Sequence, residues 1–211
     1  MKKLFLICVL ALTLLLSSCG TSASTPTPKV NLADSLEIKE YSCVIDEQFA
    51  YYVAFVTNTS DKTLDVEINI TTKDVDGNMV GSGTTSVLAV GSGQTSGLWT
   101  TFDKWKSIDS FEYVLNVKGS SYSPIKDVVS FDYNAMDKRV VMSATNNGDK
   151  DAEFVWVDVV FLKDGNMVDF REIRLTNNDS VLPAGQTLTG EGEIYSQYDD
   201  LAFAYNGRIH K

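Results

Sequence analysis

Apolar and polar residues alternate with a period of two along most of the chain beyond Ser35. In LDVEINIT, the apolar Leu64, Val66, Ile68 and Ile70 alternate with Asp65, Glu67, Asn69 and Thr71, the pattern of a strand buried on one face. Helical spacing is hard to find downstream, and Gly, Asn-Gly and Asp-Gly punctuation recurs between the runs. This predicts an all-β chain of short antiparallel strands.

The pattern occurs twice. VTNTSDKT (Val56 to Thr63) aligns with ATNNGDKD (Ala144 to Asp151) at an offset of 88, and the pentapeptide DGNMV recurs at the same offset, at Asp76 to Val80 and Asp164 to Val168. VGSGQT (Val90 to Thr95) then matches LPAGQT (Leu182 to Thr187) at an offset of 92, and FEYVLNV matches LAFAYNG near the end of each copy. Six or seven strands in under 100 residues fit an antiparallel sandwich of immunoglobulin-like type. The expected organisation is therefore two tandem immunoglobulin-like β-sandwiches, residues 36–119 and 124–211, with a linker at 120–123. One large barrel is the alternative, and the collinear repeat argues against it.

Ahead of the repeat, MKK is a positively charged start, Leu4 to Leu16 is an apolar run, and LSSC places Cys19 where that run ends. This resembles a bacterial lipoprotein signal. The resemblance implies cleavage of residues 1–18, diacylglycerol on the Cys19 sulfur, and a lipid-anchored protein on the extracytoplasmic face of the cell membrane. Thirteen apolar residues would span only about 20 Å as a helix, short of the roughly 30 Å hydrocarbon core. Residues 19–35, rich in Ser, Thr and Pro, have nothing to bury and are expected to be a flexible tether.

The charge balance excludes some partners. Lys and Arg total 18 against 28 Asp and Glu, a net charge of −10. Nucleic-acid binding needs clustered cations, so no nucleic-acid partner is expected. Of 3 cysteines, Cys8 lies in the signal run and Cys19 is the lipid site, leaving Cys43 without an intrachain partner. Among Tyr41, Val44 and Ile45 it is expected as a small buried hydrophobe.

A strand ending in a Thr-Asn turn, an alternating strand entering an Asp-Gly hairpin and a later Gly-Gln-Thr together resemble the FxLYD-type immunoglobulin-like modules of bacterial secreted lipoproteins. ITTKD (Ile70 to Asp74) and DVVFL (Asp158 to Leu162) stand where that family has its naming motif. The resemblance covers both copies and implies no catalytic residues.

Candidate chemistry is sparse. Asp74, Asp76 and Asn78 have the alternate spacing of a calcium loop, but the second copy has Leu162 in place of Asp74, and neither loop has the distal Glu. What both copies keep is Asp-Gly-Asn, which suits a hairpin turn, so no metal site is expected. His210 is the only histidine and sits next to the end of the given chain, so no Ser-His-Asp triad can form. Glu191 and Glu193 share one strand face and read as solvated. GSGTTS and GSGQTS (Gly81 to Ser86, Gly91 to Ser96) lack the Lys of a phosphate loop and read as flexible strand edges or turns, so no cofactor is expected.

The aromatic residues remain. Trp99 and Trp105 flank LWTTFDKW, where binding and packing are balanced expectations. At offset 88, Val66, Ile68 and Ile70 correspond to Phe154, Trp156 and Asp158, which would bury a carboxylate. The opposite face, Val155, Val157, Val159 and Phe161, is uniformly apolar. The expectation is that copy two buries this second face and turns Phe154, Trp156 and Asp158 outward, with Trp156 and Asp158 facing the other half or a partner. A bulge that shifts the phase, or a strand buried on both faces with Asp158 paired to Arg171 or Arg174, are the alternatives. The candidate binding surface is thus Trp99, Trp105, Trp156 and Asp158. The expected function is a non-catalytic interaction module for an envelope protein or glycan; a spacer or accessory subunit of an envelope complex is the second reading, and an enzyme with an unrecognised site the third.

Overall fold

The computed structural model describes residues 31–45 and 49–210. Cys19, the signal run and tether residues 19–30 lie outside the described residues. The described chain is all-β, built from fourteen strands: β1 (Leu36–Ile45), β2 (Phe49–Asn58), β3 (Leu64–Lys73), β4 (Met79–Val90), β5 (Thr95–Phe102), β6 (Ser110–Gly119), β7 (Ser123–Pro124), β8 (Val129–Met136), β9 (Arg139–Asn146), β10 (Ala152–Lys163), β11 (Asn166–Arg174), β12 (Val181–Leu182), β13 (Thr187–Glu193) and β14 (Asp200–Ile209). No helix among the described residues is long and apolar enough to cross a membrane.

The strands form four antiparallel sheets, ordered β4-β3-β6, β1-β2-β5, β11-β10-β14-β7 and β13-β9-β8, with β12 paired to β10. The first two sheets and the last two have the same topology: β8, β9 and β13 repeat β1, β2 and β5, while β10, β11 and β14 repeat β3, β4 and β6. Each pair is a β-sandwich. Tyr52, Leu64, Ile68 and Leu98 fill the first, and Met142, Val157, Phe161 and Leu182 fill the second.

A third apolar layer joins them. Tyr41, Val53 and Phe55 on the outer face of β1-β2-β5 pack against Val160, Leu162, Met167 and Phe170 on the outer face of β10 and β11. The four sheets therefore stack face to face, and residues Asn31–Lys211 form one compact unit. The outermost faces are polar: Glu112, Asn116 and Lys118 project from β6, and Thr187, Thr189 and Glu191 from β13, all exposed. Val114, 65% exposed, is the large apolar side chain among those on β6.

The residues kept by both copies are structural. Asn58, 0% exposed, donates from Nδ2 to the carbonyls of Lys62 (2.6 Å) and Val90 (2.9 Å), while its Oδ1 accepts from the Ser60 N–H at 3.0 Å. Asn146, equally buried, donates to Lys150 O (2.9 Å) and Leu182 O (3.0 Å) and accepts from the Gly148 N–H at 3.0 Å. Each Asn ties its own turn to the Gly-Gln turn, whose glycine N–H returns to the Asn carbonyl. The repeated Thr-Asn and Gly-Gln-Thr stretches are two parts of one corner.

The repeated DGNMV closes two different turns. In copy two, Lys163 pairs with Asn166 across a two-residue Asp164-Gly165 turn, both residues having positive φ (51° and 78°), as a type I′ hairpin requires. In copy one, Lys73 pairs with Met79, and Asp74 organises a five-residue loop by accepting from the Asp76 and Asn78 N–H groups at 3.0 and 2.8 Å. Those bonds hold the exposed Asp74 carboxyl below the usual carboxylate range, led by the one from Asn78.

The difference originates one strand earlier. Phe154 has φ +52° and sits in a break of the β10–β14 register between Glu153 and Trp156. One extra residue there is a β-bulge, and it exchanges the faces beyond it. Ala152 and Val155 both point inward as a result, and Val155, Val157, Val159 and Phe161 line the core. The face choice matches the expectation, and the bulge weighed as its alternative is what brings it about. β10 is also covered on both sides.

One expectation needs correction. Asn31–Ser35 is docked and does not belong to a free tether: Asn31 caps a short 3-10 turn (Leu32–Ser35), Leu32 packs on the first core, and Thr59 N–H bonds Ser35 O at 2.8 Å. Gly81 to Ser86 lies within β4, an edge strand of its sheet, and Gly91 to Gln94 form the turn into β5.

Candidate functional site

The four candidate residues do not converge. Trp99 lies on the face of β5 that meets the second half, with its ring centroid 5.3 Å from Phe170 and 6.3 Å from Tyr51. Its indole N–H donates to Glu172 Oε2 at 3.2 Å. Trp99 is thus part of the internal contact. Trp105 opens a short 3-10 turn in the β5–β6 connection, packs against the first core and lies 5.1 Å from the Lys106 ammonium.

Asp158 is 0% exposed, which overturns its reading as a surface for an outside partner. It faces the first half, and neither Arg171 nor Arg174 pairs with it. Arg171 bonds Asp169, and Arg174 bonds Glu172. Its Oδ2 accepts from Asn206 Nδ2 at 2.7 Å, and Oδ1 has no hydrogen-bond partner. Desolvation, then the negative charge of Glu172, hold its carboxyl well above the usual carboxylate range, against the side chains of Asn206 and Trp156.

Trp156 is half-buried beside Phe154, the rings meeting edge to face at 6.5 Å. Trp156→Ala should cost roughly 1 to 2 kcal/mol, between a surface site and a core one. Chemical denaturation of the variant measures this. Cys43, half-buried in the contact layer, has its thiol pushed up to about 12 by burial and then by Asp169. At about pH 8 its alkylation should be roughly a thousandfold slower than that of an ordinary thiol, because only the thiolate reacts. Mass-spectrometric labelling rates check this.

A concave site does exist elsewhere. An open cleft of about 1550 Å³ lies at one end of the second half, bounded by the β8–β9 turn (Met136 to Arg139), Lys163 at the end of β10 and the β13–β14 connection (Glu193 to Asp199). Tyr198 anchors it, its ring edge-on to Phe161 at 5.2 Å and its hydroxyl donating to Met136 O at 3.0 Å. The Ile194 N–H bonds Lys138 O at 2.9 Å, and Asp199 accepts from the Asp164 N–H at 3.1 Å, so three connections brace one another.

The lining combines tyrosine faces, an amide and charges of both signs. Tyr195, 77% exposed, lies under the Arg171 guanidinium at 5.5 Å and bonds Glu193 Oε2 at 2.7 Å. Lys163 Nζ reaches Gln197 Oε1 at 3.5 Å. Lys138, Arg139 and Lys163 balance Asp137, Glu193 and Asp199, so this patch is locally neutral on a chain of net charge −10. Such a lining can stack and hydrogen-bond a ligand. His210 lies at the other end of β14, 2.8 Å from Glu153 and against Tyr122.

Sequence reasoning missed these residues, because their three connections are distant in sequence and meet only once the strand directions are known. No protein-family model matches the chain, and no curated protein matches it. Among solved structures that resemble it, red sea bream transglutaminase aligns with a TM-score of 0.26 at 8% identity, covering 82% of this chain and 29% of that one. The chain thus spans under a third of that enzyme's length.

Proposed function

We propose that the protein is a lipid-anchored, extracytoplasmic interaction module that binds an envelope protein or glycan, without catalysis, in the cleft of its second half. The observation that supports this is the placement of the cleft. β1 enters the first half at Leu36, beside Asn58, and the shared direction of the stacked strands puts this entry at one end of the unit. Met136, Lys163 and Glu193 are strand ends at the opposite end. The cleft and Leu36 thus lie at opposite ends of the strand stack, roughly one strand length apart, about 30 Å for ten residues.

The spacer reading gains from the apolar contact between the halves, which stiffens the unit. The two readings separate in one experiment: the lipid-free chain and its Tyr195→Ala/Lys163→Ala variant are incubated with envelope proteins and envelope glycan fragments. Binding is measured for each retained species. A ligand held by the parent chain and by Trp105→Ala, but lost from the cleft variant, is expected. Equal retention by the cleft variant, or no retention at all, counts against the module and for the spacer.

A further inference from the structure

The polar groups buried between the halves have no role in the cleft. Asn206 reaches across the contact in both directions: Nδ2 donates to Asp158 Oδ2 at 2.7 Å, and Oδ1 accepts the Gly97 N–H at 3.1 Å. Beside them Ser96 Oγ and Gln94 Nε2 donate to Tyr205 O at 2.9 and 3.2 Å. A Cβ on Gly97 would stand 2.1 Å from Asp158 Oδ2, so the carboxyl uses the space that a side chain would fill. Oδ1 is buried without a hydrogen-bond partner.

We propose that Asp158, Asn206 and Gly97 form a proton-operated latch between the two halves, closed while the Asp158 carboxyl carries a proton and loosened when it ionises. A carboxylate needs donors at both oxygens or a cation. Here one oxygen lacks a hydrogen-bond partner, and no ion pair among the described residues includes Asp158. Isolated burial of an ionised carboxylate is strongly unfavourable.

Of the groups facing it, only the Asn206 and Trp156 side chains favour the ionised form, and desolvation with the negative charge of Glu172 outweighs them. β11 presents Glu172, paired to Arg174; β5 presents Gly97 and Trp99; β14 presents Ala204 and Asn206; β2 presents Val53 and Phe55. On β1 the face of Tyr41 also carries Glu37 and Lys39, both exposed at its rim. Copy one supplies the comparison. There Asn69 and Asn116 take the places of Asp158 and Asn206 in the strand pair, on an uncovered face, with Asn116 and Asn69 both donating to Glu67. An Asn thus suits this position, and the covered copy carries the titratable Asp.

The carboxyl is held above its ordinary range when the halves are closed, so the contact is tightest below the ordinary Asp value, near 4. It weakens as pH rises toward the raised value, by about tenfold in the closing equilibrium per pH unit between the two.

Hydrogen exchange of the full chain tests this, with intrinsic rates corrected for pH. At about pH 5, segments 95–102 and 203–207 should be equally protected in the parent and in Asp158→Asn. At about pH 8.5 the parent should exchange at least tenfold faster there, while Asp158→Asn stays protected. Equal ratios at both pH values overturn the latch. Should Asp158→Asn misfold, the carboxyl carbon of Asp158 can be followed by NMR in the unmodified chain. Titration well above the other Asp residues, in step with loss of Gly97 amide protection, supports the latch. Titration in the ordinary range, or protection that does not follow it, overturns the proposal.

Discussion

Asn146→Ala should destabilise the protein by about 3 to 5 kcal/mol, and Asn58→Ala by a similar amount. Asn146→Ala removes three hydrogen bonds and Asn58→Ala four, each leaves two carbonyls without their donor, and each stranded group costs about 1 to 3 kcal/mol. Asn146→Asp should be nearly as damaging although it keeps the shape, since a carboxylate cannot donate to Lys150 O or Leu182 O. Urea denaturation of the three variants measures the losses. If these asparagines instead served a ligand, the variants would keep full stability and lose only binding.

Val53→Asp is expected to have a comparable effect through another route. Val53 is 0% exposed, in the layer between the halves and outside either sandwich core. A carboxylate there has no cation to meet, so the halves should part or the carboxyl should stay protonated. The expected loss is several kcal/mol, with exposure of Tyr41, Phe55 and Phe170 and self-association. Size-exclusion chromatography with static light scattering reads the association. A monomeric variant of unchanged stability would mean that this layer contributes little.

The strands and the internal repeat were legible because period-two alternation and turn chemistry are local. β3 and β6 alternate cleanly because water covers one side of each. The stacking of the halves had a signal too: FAYYVAFV in β2 and FVWVDVVFL in β10 are apolar at nearly every position, as a strand covered on both faces must be. Read as one-sided strands, they hid the third layer and made Trp99 and Asp158 look available. The change of phase pointed to a bulge in β10 as one alternative, but its place at Phe154 was not legible, since a positive φ at a non-glycine residue is imposed by the surrounding sheet. The cleft was not legible either, because its walls come from three connections that only the fold brings together.

The two copies are locked face to face into one unit. Urea unfolding at about pH 5, with the latch closed, tests this in a Trp105→Phe/Trp156→Phe chain whose emission comes from Trp99 alone. Trp99 emission and far-ultraviolet circular dichroism should change together in a single transition. Exposure of Trp99 at a urea concentration that leaves the β-signal intact would show that the halves separate while still folded, and would contradict the claim.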